Sequence, residues 1–267
     1  MSDGRGRREW VALSEAVRRA QPLLIFADYD GTLTPIRPTP EQARLDGRTR
    51  AVLRRLSHRK GTTVGLVSGR SIGTLRRLAR LPRLIYVGNH GLELEGAGVR
   101  FVHPAARRSM PVLARVAEEL QDALRDMPGT IVEFKRLSLS VHWRLVPAGI
   151  VQRFRRRVRA ALAPWVSRRL VRVTSGKRVI EVRPPVDWTK GSAVEWLLRA
   201  CGGPRGTVVY LGDDRTDEDA FRAVNRHRGV SIFVGPRRRP TAARWRLSSP
   251  AEVGELLARI IGKPVEA

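Results

Sequence analysis

Asp28 and Asp30 stand two residues apart in Asp28-Tyr29-Asp30-Gly31-Thr32-Leu33, directly after the apolar run Leu23–Ala27. Two carboxylates so spaced at a strand end can share one cleft and one divalent cation, one as nucleophile and the other as acid and base. The same residues also suit an Asp-Gly turn. Ser68-Gly69-Arg70 ends a second apolar run, Thr63–Val67, where a hydroxyl and backbone N–H groups at a helix start cradle an anion. An N-cap serine with a glycine turn has the same pattern. Lys190, in Asp187-Trp188-Thr189-Lys190-Gly191, opens a helical stretch and can neutralise a phosphoryl group or a carboxylate; a solvated first-turn lysine is the alternative. Asp213, Asp214, Asp217 and Glu218 crowd the end of a further apolar run, Val208–Leu211. So much like charge at one point is unfavourable without a cation. All-oxygen ligands favour Mg²⁺ over zinc or copper, against the alternative of an acidic first helical turn.

The elements that must position these residues follow from periodicity. The runs Leu23–Ala27, Thr63–Val67, Leu84–Val87 and Val208–Leu211 are unbroken rather than alternating, as in strands buried on both faces of a parallel sheet. Residues 41–57, 71–80, 189–201 and 216–224 carry apolar positions at helical spacing. Alternation of strand and helix predicts an α/β fold with a doubly wound parallel sheet, whose ligands bind beyond the carboxyl ends of the strands.

The middle of the chain differs. Helical patterns at about 110–127 and 148–163 are each followed by a pair of alternating strands. In 137–145, Leu137, Leu139, Val141 and Trp143 face one way, and Ser138, Ser140, His142 and Arg144 the other. Glu133 and Lys135 share a face, as do Glu181 and Arg183. The pattern predicts an inserted α/β domain over 104–184, with one apolar and one polar face to its antiparallel sheet. The core domain then comprises 21–103 and 185–267, after a basic N-terminal lead-in at 1–20.

The chain has 267 residues and a formal net charge of +26. Hydrophobic residues make up 42%, which supports a sizeable buried core rather than wholesale disorder. Only five cationic residues are lysine, at 60, 135, 177, 190 and 263; the rest are arginines, scattered with dense runs at Arg153–Arg159 and Arg237–Arg239. Scattered charge with 6% aromatic residues argues against a dedicated nucleic-acid binder, although an RNA- or polyphosphate-binding protein is the rival from another class. The few lysines mark places where a compact ammonium is required. The lone Cys201 excludes an internal disulfide and a multi-cysteine zinc site. No apolar run approaches a membrane span, and the N-terminus lacks the apolar stretch of a secretory signal, so a cytoplasmic, non-membrane protein is expected, with a monomer favoured.

Asp-Tyr-Asp-Gly-Thr-Leu at 28–33, the serine of Ser68-Gly69-Arg70, Lys190, and Gly-Asp-Asp-Arg-Thr-Asp-Glu-Asp at 212–219 together resemble the four ordered motifs of the haloacid dehalogenase (HAD) superfamily. The stretches 88–93 (GNHGLE), 132–144 (VEFKRLSLSVHWR) and 176–184 (GKRVIEVRP) sharpen the resemblance to the trehalose-6-phosphate phosphatases over about 22–260; Trp143 stands where the family more often has Tyr. The resemblance implies an inserted α/β cap that closes over the core, and a Mg²⁺-dependent phosphatase acting on trehalose 6-phosphate, a small-molecule substrate. It implies Asp28 as nucleophile, Asp30 as acid and base, and Ser68 and Lys190 on the phosphoryl oxygens. Mg²⁺ would be held by the Asp28 carboxylate, the Asp30 backbone carbonyl and Asp213, with Arg70, Asp214 and Asp217 orienting these groups. Asn89, His90, Glu133, Lys135, His142, Arg144, Lys177 and Glu181 would contact the sugar. A relative acting on sucrose phosphate or a glycosyl phosphoglycerate would keep the core motifs and change these sugar-contacting residues.

Overall fold

Alternate residues of the first apolar run enter two different cores. Leu23, Ile25 and Ala27 belong to one buried cluster, and Leu24 and Phe26 to another. This is the burial on both faces that an unbroken run predicts. In the computed structural model, which describes residues 4–200, 206–236 and 239–262, these residues form β1. The chain runs through α1 (Gly4–Arg19), β1 (Leu23–Asp28), α2 (Gly47–His58), β2 (Thr62–Val67), α3 (Ile72–Ala79), β3 (Ile85–Gly88), β4 (Glu93–Gly96) and β5 (Val99–Val102). The insert follows with α4 (Pro104–Arg108), α5 (Met110–Ala123), β6 (Ile131–Phe134), β7 (Leu139–His142), α6 (Val151–Ser167), β8 (Arg172–Ser175) and β9 (Val179–Arg183). The chain then returns through α7 (Lys190–Ala200), β10 (Thr207–Gly212), α8 (Glu218–Arg226), β11 (Val230–Val234), β12 (Trp245–Leu247) and α9 (Pro250–Ile261).

The large sheet has the order β12-β11-β10-β1-β2-β3-β4-β5. β12 through β3 pair in parallel, and β4 joins β3 antiparallel. One face packs on α1, α2, α3 and α9, the other on α7 and α8. The strand order reverses at β1, between β10 and β2, which is the topological switch point where doubly wound sheets place ligands.

Two units separate: residues up to Phe101 with those from Trp188 onward, and Val102–Asp187. The second holds the antiparallel sheet β6-β7-β9-β8 and its own core, with Leu139, Val141 and Val182 packed on α5 and α6. Trp143 joins that core beside Phe154, ring centroids 5.9 Å apart.

The lead-in is more structured than its charge suggests. It forms α1, whose Trp10, Leu13 and Val17 recur at helical spacing and pack on the first core, with Trp10 5.4 Å from Trp245. Cys201 lies outside the described residues, as do Arg237 and Arg238 of the second arginine run.

Candidate active site

Each sequence-predicted residue of the first unit lies at or just past the carboxyl end of a strand or at the start of a helix. Asp28 ends β1, and Asp30 lies two residues beyond. Ser68 follows β2, and Asp213 follows β10. Alternation along β1 sends Asp28 to the face already taken by Leu24 and Phe26, the face covered by α7 and α8. Lys190 is the first residue of α7, and a reciprocal cap fixes it there: Ser192 N donates to Thr189 Oγ1 and Thr189 N donates to Ser192 Oγ. A Cβ at Gly191 would lie 2.5 Å from the Asp219 carbonyl oxygen, so glycine lets this helix start approach α8.

The result is a buried ion cluster. Lys190 Nζ donates to Asp28 Oδ1 at 2.5 Å and to Asp217 Oδ1 at 2.8 Å. The second oxygen of Asp217 accepts from Asp213 N at 3.2 Å and Asp214 N at 3.0 Å. Tyr210 OH completes the set by donating to Asp217 Oδ1 at 2.7 Å. Burial, together with the Asp217 and Asp213 charges, pushes Asp28 well above the usual carboxylate range against the pull of Lys190. Burial disfavours the Lys190 ammonium, but Asp217 and Asp28 outweigh it and hold the group charged. Tyr210, buried beside the same carboxylates, is raised well above the ordinary phenol and stays a donor.

Asp28, Asp213 and Asp217 each offer an oxygen within 4.8 Å of the others, and all three are buried. Three carboxyl groups against the single ammonium of Lys190 would, when all are ionised, leave two negative charges out of water, which matches one divalent cation with oxygen ligands. Gly31, at φ +90°, belongs to the same cradle: the Asp213 carboxylate fills the space where a Cβ would stand. Asp217 has both oxygens occupied by four donors, so its role is to hold Lys190 and the turn at 213–214. Arg239 Nη1 donates to the Asp213 carbonyl at 3.2 Å and lies 3.6 Å from Asp214 Oδ1.

Asp30 is more open than Asp28. Arg70 grips it with two bonds, Nε to Oδ2 at 2.6 Å and Nη2 to Oδ1 at 2.7 Å. Arg70 also covers the ring of Tyr29, whose hydroxyl donates to the Ala43 carbonyl. Burial and the Asp30 charge raise that hydroxyl to about 12.

Asn89 and His90, at φ +50° and +58°, take left-handed conformations. Asn89 N donates to the Arg70 carbonyl and His90 N to that of Ser68, which fastens the loop after β3 to the loop after β2. Asn89 is fully buried and its Nδ2 donates to Glu93 Oε1, so the fold accounts for this side chain.

In the second unit, cross-strand register brings Glu133, Ser140 and Glu181 into one row. Lys135 Nζ donates to Ser140 Oγ at 2.6 Å and to Glu181 Oε2 at 3.2 Å, and Ser140 Oγ donates to Glu181 Oε1 at 2.6 Å. His142 Nε2 lies 3.0 Å from Glu133 Oε2. Arg144 donates to the carbonyl of Lys177, which is exposed in the turn between β8 and β9. These six predicted residues thus lie on one sheet face or its adjoining turns.

Sequence patterning missed Tyr210, which occupies an alternating position inside an apolar run and reads as core, and Ser140, a small polar residue without a motif of its own. Arg239 is hidden by the arginines around it.

A sequence model of the trehalose-phosphatase family matches residues 26–251. A probable trehalose-phosphate phosphatase D of Arabidopsis thaliana is 34% identical over 262 residues, 93% of this chain and 69% of that protein. The C-terminal domain of the C. albicans trehalose-6-phosphate phosphatase superposes with a TM-score of 0.80 at 26% identity, covering 96% of each chain. A haloacid dehalogenase-like hydrolase from Bacteroides thetaiotaomicron shares the fold, with a TM-score of 0.62 at 19% identity over 89% of this chain and 98% of that one.

Proposed function

The chain belongs to the trehalose-phosphatase family, and from that premise we propose that it is a Mg²⁺-dependent phosphatase that releases trehalose and phosphate from trehalose 6-phosphate through a phosphorylated Asp28. The observation that carries the reading is the buried cluster of Asp28, Lys190, Asp213 and Asp217 at the switch point of the large sheet. Its residual charge calls for a dication, and its lysine sits against the nucleophile.

The proposed reaction has two displacements. Asp28 attacks phosphorus, the new carboxylate–phosphorus bond forms, and the bond to the sugar oxygen breaks. Asp30 gives its proton to the departing oxygen, then takes one from the water that attacks the phosphoaspartate, which releases phosphate and restores both carboxyl groups. Arg70 holds both oxygens of Asp30 in this structure, so it sets the carboxyl's orientation, and one of its bonds must yield before proton transfer. Ser68 and Lys190 bind the phosphoryl oxygens. Mg²⁺ held by the Asp28 carboxylate, the Asp30 carbonyl and Asp213 would offset the charge that spreads over those oxygens. Asp217 keeps Lys190 and the backbone of Asp213 and Asp214 in place, and Asp214 supports Asp217 by accepting from its N–H.

Sugar selection falls to His90 and to the polar face of the second unit. Glu133, Lys135, His142, Arg144, Lys177 and Glu181 there supply both donors and acceptors for hydroxyl groups. The test compares phosphate release from trehalose 6-phosphate, a sucrose phosphate, a glycosyl phosphoglycerate and an aryl phosphate, with Mg²⁺ and with EDTA. Fast, EDTA-sensitive release from trehalose 6-phosphate above the others is expected. Equal or faster release from another glycosyl phosphate would reassign the sugar, and release undiminished by EDTA would remove the metal.

A further inference from the structure

Lys190 is contested by two carboxylates. It donates to Asp28, on the reaction side, and to Asp217, behind it. An Asp217 oxygen with no other donor would draw the ammonium back from the phosphoryl group, because a buried anion competes strongly for a cation in a low dielectric. Tyr210 reaches that same oxygen at 2.7 Å. Its ring is fully buried in β10 and meets Phe221 edge-on at 5.7 Å, which fixes the direction of the hydroxyl. We propose that Tyr210 is a positioning residue of the phosphatase site, whose hydroxyl shares the charge of Asp217 and so leaves Lys190 directed at Asp28 and the transferring phosphoryl group. The inference rests on the phosphatase reading above. A tyrosine that only filled the core would be replaced by phenylalanine without consequence.

Tyr210→Phe keeps the ring and removes the hydroxyl. Its kcat on trehalose 6-phosphate and on an aryl phosphate should fall roughly tenfold, with KM for each changed less than about threefold, because a hydrogen bond to a charged group is lost and the sugar contacts are not. Affinity for inorganic phosphate in the presence of Mg²⁺, read by calorimetry without turnover, should weaken several-fold. In an Asp217→Asn background the same substitution should leave phosphate affinity unchanged, since a neutral amide no longer competes for the ammonium. The wild-type Tyr210 hydroxyl proton should also give a slowly exchanging NMR resonance, a readout that needs no variant to fold. Wild-type kinetics and phosphate affinity in Tyr210→Phe, an equal loss of affinity with Asp or Asn at 217, or a hydroxyl proton that exchanges as fast as an exposed phenol would each overturn the proposal. A wild-type protein that hydrolyses neither ester refutes the phosphatase reading itself, a failure distinct from an active enzyme indifferent to Tyr210.

Discussion

Glu133 and Lys135 lie two residues apart on the polar face of the second unit, yet they are held differently. Glu133 is half-buried beside His142, whereas Lys135 is buried and bound to Ser140 and Glu181. Removing Lys135 would take a buried cation from beside Glu181 and mix a folding cost into any activity measurement. Glu133→Gln is the cleaner probe. It keeps a partner for His142 and removes only the charge. Turnover of trehalose 6-phosphate should drop roughly 10- to 100-fold, the scale on which a site built for hydroxyl groups loses a charged partner, while an aryl phosphate is hydrolysed within about twofold of the parent rate. Steady-state kinetics on both esters checks this, and equal losses on both would make the polar face structural. The carboxylates of the buried cluster were legible at this scale because Asp28, Asp213 and Asp217 stand at or just beyond the ends of unbroken apolar runs. Tyr210 was not, since a hydroxyl inside an apolar strand leaves no trace in a hydropathy pattern.

Helix starts carry much of the site's precision, and they are made by caps that a sequence displays openly. Asp46 caps α2 by accepting from Thr49 N at 2.8 Å. Burial opposes the Asp46 carboxylate, but the hydrogen bonds from Thr49 and Arg48 win and hold its pKa below the ordinary value. A carboxyl depressed in the folded state stabilises above its unfolded pKa of about 4 and loses that contribution as pH falls through the folded value. Asp46→Ala should therefore cost ~1 kcal/mol near neutral pH, with the two unfolding curves converging in acid; urea titrations at several pH values measure it. The central strands were legible because their runs are unbroken. α1 was hidden, because its buried face of Trp10, Leu13 and Val17 is sparse and arginines dominate the rest. β11 and β12 escaped for want of a motif at their ends, although Ile232, Phe233, Val234 and Leu247 are all buried.

Across the whole molecule the excess of positive charge is uneven. Between Glu133 and Glu181 the sequence contains no acidic residue. There Arg153 and Arg157 share Asp126, and Arg155 and Arg178 lie over Trp143 at 5.3 and 5.8 Å. A cluster of negative charge stands instead at the ends of β1 and β10, where Asp28 and Asp217 are buried against Lys190. Concentrated buried charge of one sign within a chain dominated by the other marks a candidate site more sharply than net charge does. The proposed reaction turns on Asp28 as the nucleophile that becomes phosphorylated. Its most direct test is phosphate release from trehalose 6-phosphate, with Mg²⁺, by the wild-type chain and by Asp28→Asn. A loss of ~10³-fold or more in the variant is predicted, since removing a nucleophile removes the chemical step rather than a fraction of binding. Turnover by Asp28→Asn within tenfold of the wild type would contradict the account, because no phosphoaspartate could then lie on the main path.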